Sequence, residues 1–183
     1  MSARGRVRPP AAVNARGQQP ERARTGYLGL GSNMGDRLAH LRRARAGLAS
    51  RGVTVTASSS VYETEPVGAA VGQADFLNAC VRVRTGLGPE PLLDACKGLE
   101  RALGREPDAR HGPRPIDLDV LLLGDLRYEG DRITLPHRDL GRRRFVLVPL
   151  LELDPSLTLP GGPAAKDLLA ALAEERVERI GPL

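Results

Sequence analysis

Hydrophobic and polar positions recur along this chain with two periods, and the switches between them mark out the elements. The run Tyr27-Leu28-Gly29-Leu30 predicts a short buried strand that ends in a turn at Gly31-Ser32-Asn33. Asp36 stands where a helix cap belongs, with Leu38, Leu41, Arg45 and Leu48 on one face of the helix that follows. The β-branched run 53–64 predicts one strand. Residues 76–85 predict another, with Leu77, Ala79, Val81 and Val83 on one face and Asn78, Cys80, Arg82 and Arg84 on the other. Pro89 and Glu90 open a helix with the stripe Leu92, Leu93, Cys96, Leu99 and Leu103, closed by Gly104. An apolar strand follows over 116–123, then a short apolar element over 145–151, and finally an amphipathic helix over 166–180 through Leu169, Leu172 and Ile180. Strands and helices intermixed through short connections predict a single α+β domain over 25–183 rather than a doubly wound sheet.

Charge changes the picture at one end only. The chain has 27 Lys and Arg against 22 Asp and Glu, a formal net charge of +5. Residues 1–24 hold six arginines against the single acid Glu21, so the surplus lies there and 25–183 is neutral. That segment also lacks apolar periodicity and predicts a disordered basic N-terminal extension. An organelle transit peptide ranks second, because Pro9 and Pro10 break an amphipathic helix. A neutral body with five aromatic residues argues against a nucleic-acid platform. No apolar run approaches the ~20 residues of a membrane span. Cys80 and Cys96 form no CxxC, and predict buried free thiols in a reducing, cytoplasmic setting.

The strongest chemical signal is Arg114-Pro115-Ile116-Asp117-Leu118-Asp119-Val120. In a strand, Asp117 and Asp119 project to one side about 7 Å apart, while Ile116, Leu118 and Val120 face the core. Two carboxylates so close repel unless a cation lies between them, and magnesium takes one or two carboxylates while leaving room for water and phosphate. Arg105, Arg110 and Arg114 precede the strand in a segment broken by Pro107, Gly112 and Pro113, and arginine forks match phosphate. Metal-binding acids beside an arginine loop suit triphosphate chemistry. By itself His137 reads as a surface imidazole, and no histidine has metal-site spacing. There is no GxxxxGK[ST], no GxGxxG in register and no GxSxG.

With these pieces assembled, the chain resembles the 6-hydroxymethyl-7,8-dihydropterin pyrophosphokinase family over about 27–155. The resemblance rests on Leu30-Gly31-Ser32-Asn33, on 59–68 (SSVYETEPVG), on Asp75-Phe76-Leu77-Asn78-Ala79, and on Glu100 with Gly104-Arg105. It continues through 111–120 (HGPRPIDLDV) and Leu135-Pro136-His137 followed by Arg143 and Phe145. It implies a ferredoxin-like antiparallel sheet covered by helices. It also implies transfer of the β,γ-pyrophosphoryl group of ATP to the pterin hydroxymethyl oxygen, with release of AMP, in folate biosynthesis. Asp117 and Asp119 would hold two Mg2+ ions, and Arg105 and Arg114 would join them as catalytic residues. ATP contacts would come from Glu100, Arg105, Arg110, Arg114, Val120, Arg132, Ile133, Thr134, His137 and Arg143. Thr64, Val67, Phe76, Asn78 and Phe145 would form the pterin pocket. The expected partners are these small molecules, without nucleic acid or membrane, acting on a monomer. Departures from the family pattern are His111 in place of a tryptophan, Glu65 in place of a proline, Arg138 in place of an aromatic, and a loop shorter by one residue. The competing readings are a nucleic-acid-binding module using the basic tail and a catalytically inactive interaction domain on the same fold.

Overall fold

The computed structural model describes residues 23–66, 72–106, 112–173 and 175–183. Strand β1 (Arg24–Ser32) leads to α1 (Arg37–Gly47), whose first turn is capped by Asp36 accepting the Ala39 N–H at 3.0 Å. Strands β2 (Val53–Ser58), β3 (Ser60–Thr64) and β4 (Phe76–Thr85) follow, then α2 (Pro89–Ala102) and β5 (Asp117–Leu123). The hairpin β6 (Tyr128–Glu129) and β7 (Thr134–Leu135) precedes α3 (Arg144–Leu153), α4 (Ala165–Ala171) and β8 (Val177–Pro182). The main sheet is antiparallel in the order β5-β1-β4-β3-β8, with β2 also paired to β4. From β1 to β5 the succession is β-α-β-β-β-α-β, the β-α-β-β-α-β of a ferredoxin-like unit with its second strand divided into β2 and β3.

Helices cover both faces. On one, Leu28, Leu30, Val81, Val83, Leu118 and Val120 pack against Leu41 and Leu48 from the α1 region and Leu92, Cys96 and Leu99 of α2. On the other, Tyr27, Cys80 and Leu121 meet Val146, Leu147 and Leu150 of α3. Fully buried leucines such as Leu41, Leu92 and Leu147 each contribute about 1.5–3 kcal/mol of transfer free energy. Among the described residues, no helix is long and apolar enough to cross a membrane. Both cysteines are buried and free; burial pushes the Cys96 thiol up to about 12 and the Cys80 thiol higher still, which makes them poor nucleophiles.

Four boundaries differ from the sequence reading. The segment 1–24 was expected to be disordered, but Arg24 is already in β1, paired with Thr85, because β4 extends that far and its backbone groups need partners. Residues 1–22 of that segment lie outside the described residues. The strand expected over 53–64 is two strands broken at Ser59. There the Ser59 Oγ enters the ladder, accepting the Cys80 N–H at 2.9 Å. The apolar element 145–151 belongs to α3, a helix laid along the sheet with Val146, Leu147, Pro149 and Leu150 buried.

The fourth is a correction of element type. The helix expected over 166–180 ends at Ala171, and Val177–Pro182 pairs with the outer edge of β3. Ile180 is 51% exposed and never joins the stripe of Leu169 and Leu172. An open sheet edge offers this short stretch backbone hydrogen bonds that outweigh a helical pattern resting on three widely spaced apolar residues.

Candidate active site

Strand β5 is the sheet edge beside β1, and its alternation places Asp117 and Asp119 on the α3 face while Leu118 and Val120 enter the opposite core. The cross-strand neighbours of the two aspartates on β1 are glycines: Gly31 opposite Asp117 and Gly29 opposite Asp119. A Cβ on Gly31 would stand 3.0 Å from Asn78 Oδ1 and 4.0 Å from the Asp117 Cβ, so glycine keeps the space in front of the aspartate open. The glycines that do not make a dinucleotide loop thus have a different use. They clear the floor of a cavity.

The end of α2 delivers the first cation. Arg105 N–H donates to Glu100 C=O at 3.0 Å and Gly104 N–H to Arg101 C=O at 3.1 Å, the paired bonds of a Schellman motif, with Gly104 at φ 92°. This reversal turns Arg105 back under its own helix, where its guanidinium donates to Asp117 and lies 3.0 Å from Glu100 Oε1. Glu100 is only 3% exposed and accepts the Leu118 N–H at 2.7 Å and Lys97 Nζ at 2.7 Å. Lys97 Nζ reaches to 3.8 Å from Asp117 Oδ1. Arg114 Nε lies 3.0 Å from Asp117 Oδ2 as an ion pair without hydrogen-bond alignment. Burial pushes Asp117 upward, but the Arg114, Arg105 and Lys97 charges outweigh it and hold the carboxyl below its usual range. Asp119 moves the other way: burial and the neighbouring Asp117 charge raise it above the ordinary carboxylate range. Burial also raises Glu100, against the opposing charge of Lys97.

Two cavities meet at Asp119. The first, about 270 Å³, is bounded by Thr64, Phe76, Asn78, Phe145, Arg114 and both aspartates. Asn78 Nδ2 donates to Thr64 Oγ1 at 2.8 Å, which orients its amide. Arg114 lies over the Phe76 ring at 5.2 Å and Arg143 over the Phe145 ring at 5.9 Å, so both rings offer a face to a planar or cationic group. The second cavity, about 320 Å³, is bounded by Lys97, Asp119, Val120, Arg132, Ile133, Thr134 and His137. His137 is anchored by its N–H to the Leu121 C=O at 3.0 Å, and its Nδ1 accepts the Asp139 N–H at 3.2 Å. That bond leaves Nε2 as the ring's remaining hydrogen-bonding atom.

The structure therefore groups the expected residues in two sets that share Asp119. Thr64, Phe76, Asn78, Phe145, Arg114, Asp117 and Arg143 border the first cavity; Val120, Arg132, Ile133, Thr134 and His137 border the second. Arg132 is turned toward α2, with Asp94 at 2.6 Å. Glu100 and Arg105 border neither cavity; Glu100 is the buried anchor of Lys97 and Arg105. Val67, Arg110 and His111 lie outside the described residues. Sequence reasoning missed Lys97, although its place three residues before Glu100 on one helix is a readable signal. It also gave no role to Asn33. This amide, 5% exposed, accepts the Arg114 N–H at 2.8 Å and donates to Gln73 Oε1 at 2.9 Å, joining the chain before β5 to the chain before β4. Asp139, which holds Arg143 at 2.7 Å, was missed too.

No group of three or more His, Cys, Asp or Glu suited to a metal is present among the described residues. The donor set is two carboxylates on one face of a strand, opening on a cavity that bridges aromatic and cationic walls. That fits magnesium, which fills its remaining positions with water or phosphate oxygens.

The sequence profile of the 7,8-dihydro-6-hydroxymethylpterin-pyrophosphokinase (HPPK) family matches residues 27–155. The 2-amino-4-hydroxy-6-hydroxymethyldihydropteridine pyrophosphokinase of Methylorubrum extorquens is 45% identical over 155 residues, covering 84% of this chain and 97% of that protein. The enzyme of the same name from Bacillus subtilis is 46% identical over 128 residues, covering 69% of this chain and 76% of that protein. The crystal structure of wild-type Plasmodium falciparum HPPK-DHPS with STZ-DHP shares the fold, with a TM-score of 0.65 at 13% identity over 84% of this chain; the chain spans 44% of that one. A match over 84% of the chain at this identity, on a fold that agrees, leaves one conclusion: the chain belongs to the 7,8-dihydro-6-hydroxymethylpterin-pyrophosphokinase family of enzymes.

Proposed function

We propose that this protein transfers the β,γ-pyrophosphoryl group of ATP to the hydroxymethyl oxygen of 6-hydroxymethyl-7,8-dihydropterin, releasing AMP. The observation that carries this reading is the position of Asp119 between two unlike cavities, one with aromatic walls and an oriented amide, the other lined by cations and hydrogen-bonding groups. The first suits a flat heterocycle held between Phe76 and Phe145, with Asn78 reading its polar edge. The second suits a nucleotide, whose phosphates Lys97, Thr134 and His137 would meet. In the transfer, the pterin oxygen forms a bond to the β-phosphorus, the bond from that phosphorus to the α-bridging oxygen breaks, and one proton is released to solvent.

Asp117 and Asp119 would hold magnesium, which when bound neutralises phosphate charge and aligns the attacking oxygen. Arg105 and Arg114, both paired with Asp117, would steady negative charge as it moves to the departing AMP. Asn78 and the two rings fix the acceptor, so that the gain comes from orientation of two bound substrates.

The test is AMP formation measured with ATP, the pterin and magnesium together and with each omitted. AMP should form only when all three are present. Formation without the pterin, or none with all three, would overturn the assignment.

A further inference from the structure

Asp117 and Asp119 are neighbours on one face of β5, yet their surroundings are unlike. Protein cations stand at both oxygens of Asp117: Arg105 donates to Oδ1, Lys97 Nζ lies 3.8 Å from that oxygen, and Arg114 Nε lies 3.0 Å from Oδ2. Among the described residues, Arg143 Nη1 is the one ion-pair partner of the Asp119 carboxylate, at 3.8 Å, beyond hydrogen-bond range, and Arg143 is also held by Asp139 at 2.7 Å. Asp119 also borders both cavities, whereas Asp117 borders the first alone.

A divalent ion placed at Asp117 would share that carboxylate with three cations within about 4 Å, and like charges so close repel strongly. One placed at Asp119 meets a carboxylate that accepts no hydrogen bond from the described residues. The three cations around Asp117 are not held alike. Lys97 and Arg105 are both fastened to the buried Glu100, at 2.7 and 3.0 Å. Arg114 is held by one bond from Nη1 to the Gly112 C=O at 3.1 Å, by its place over the Phe76 ring at 5.2 Å and by an unaligned ion pair, with no buried carboxylate anchoring it as Glu100 anchors the other two, so a phosphate can re-aim its fork.

We propose that Lys97, with Arg105 and Arg114, closes Asp117 to divalent ions in the nucleotide-free protein, so that Asp119 takes the first ion alone and Asp117 admits a second only when a polyphosphate draws Arg114 away. This rests on the pyrophosphokinase reading of the site and adds an order of loading to it. Lys97 acts here as a positioning residue, through Asp117.

Manganese titration of the full chain, followed by the electron-spin resonance of the free ion, reads the stoichiometry directly. Without nucleotide, the wild type should bind one ion per chain, a site that Asp119→Asn abolishes and Asp117→Asn keeps. Lys97→Gln should bind a second ion without nucleotide, at least tenfold more tightly than the wild type. With α,β-methylene ATP, which cannot undergo the transfer, the wild type should hold two ions per bound nucleotide. A wild type that binds two ions or none when free overturns the proposal. So does an ion lost in Asp117→Asn but kept in Asp119→Asn, or a Lys97→Gln variant with the wild-type count. The underlying reading fails separately: calorimetry would then show no binding of the analogue to the wild type at any manganese concentration.

Discussion

Replacing Asn33 by alanine removes two side-chain bonds and leaves the backbone untouched. The Asn33 N–H still donates to the Arg114 C=O at 3.2 Å, but the Arg114 N–H loses its acceptor at 2.8 Å and Gln73 Oε1 loses a donor at 2.9 Å. Stranding a donor in a site this enclosed costs about 1–3 kcal/mol, and the lost amide–amide bond about 1 kcal/mol more. Chemical denaturation should therefore show a loss of about 2–4 kcal/mol. The functional loss should be directional. Gln73 leads into Phe76 and Asn78, and Arg114 covers the Phe76 ring, so the pterin side loosens first. If 1.4–2.7 kcal/mol of that loss reaches the transition state, kcat/KM for the pterin falls about 10- to 100-fold. The KM for ATP should change much less. Asn33→Asp keeps an acceptor for Arg114 but not the donor to Gln73, and should lie between the two. Steady-state kinetics with each substrate varied in turn is the assay. An Asn33→Ala enzyme with wild-type kcat/KM for the pterin would refute the claim that this amide holds the two segments in place.

Three further outcomes are expected. Asp119→Asn should raise the thermal midpoint at pH 7, because a carboxyl raised by burial costs folding free energy once ionised; the gain should fade as pH falls through that raised value, while turnover drops on the order of 1,000-fold. Glu152→Gln should do the reverse. Burial pushes this carboxyl up, but the Tyr62 hydroxyl and the Ser60 N–H and hydroxyl bonds hold it below its usual range, so its stabilisation is present at neutral pH and lost as pH falls through the lowered value. Thermal unfolding of wild type and variant between pH 7 and 3 should converge at the acid end. Phe145→Ala should weaken pterin binding about 2- to 13-fold from lost stacking alone, worth about 0.5–1.5 kcal/mol, with ATP-analogue affinity nearly unchanged by calorimetry.

Much of the site was legible because strand alternation is a local rule. Asp117 and Asp119 had to share a face if Ile116, Leu118 and Val120 faced the core, and all three are buried at 2% exposure or less. The helix ending at Gly104 was equally local, and its Schellman bonds explain why Arg105 arrives beneath Asp117. The C-terminal region was misread for the opposite reason. Whether 177–182 is helix or strand depends on a free edge of β3, which lies far away along the chain.

What the sequence by itself determined was the set of chemical groups and their short-range order: the paired aspartates, the arginines before them, the capped helices and the period of each strand. These follow from backbone geometry acting over a few residues, and the α+β class with them. Only the tertiary structure decided which charges oppose one another. It placed Gly29 and Gly31 across from the aspartates, brought Lys97 and Glu100 of α2 up to β5, and closed Asp117 with cations while leaving Asp119 open to both cavities. Coulomb interactions depend on distance through space, and a one-dimensional pattern does not contain those distances.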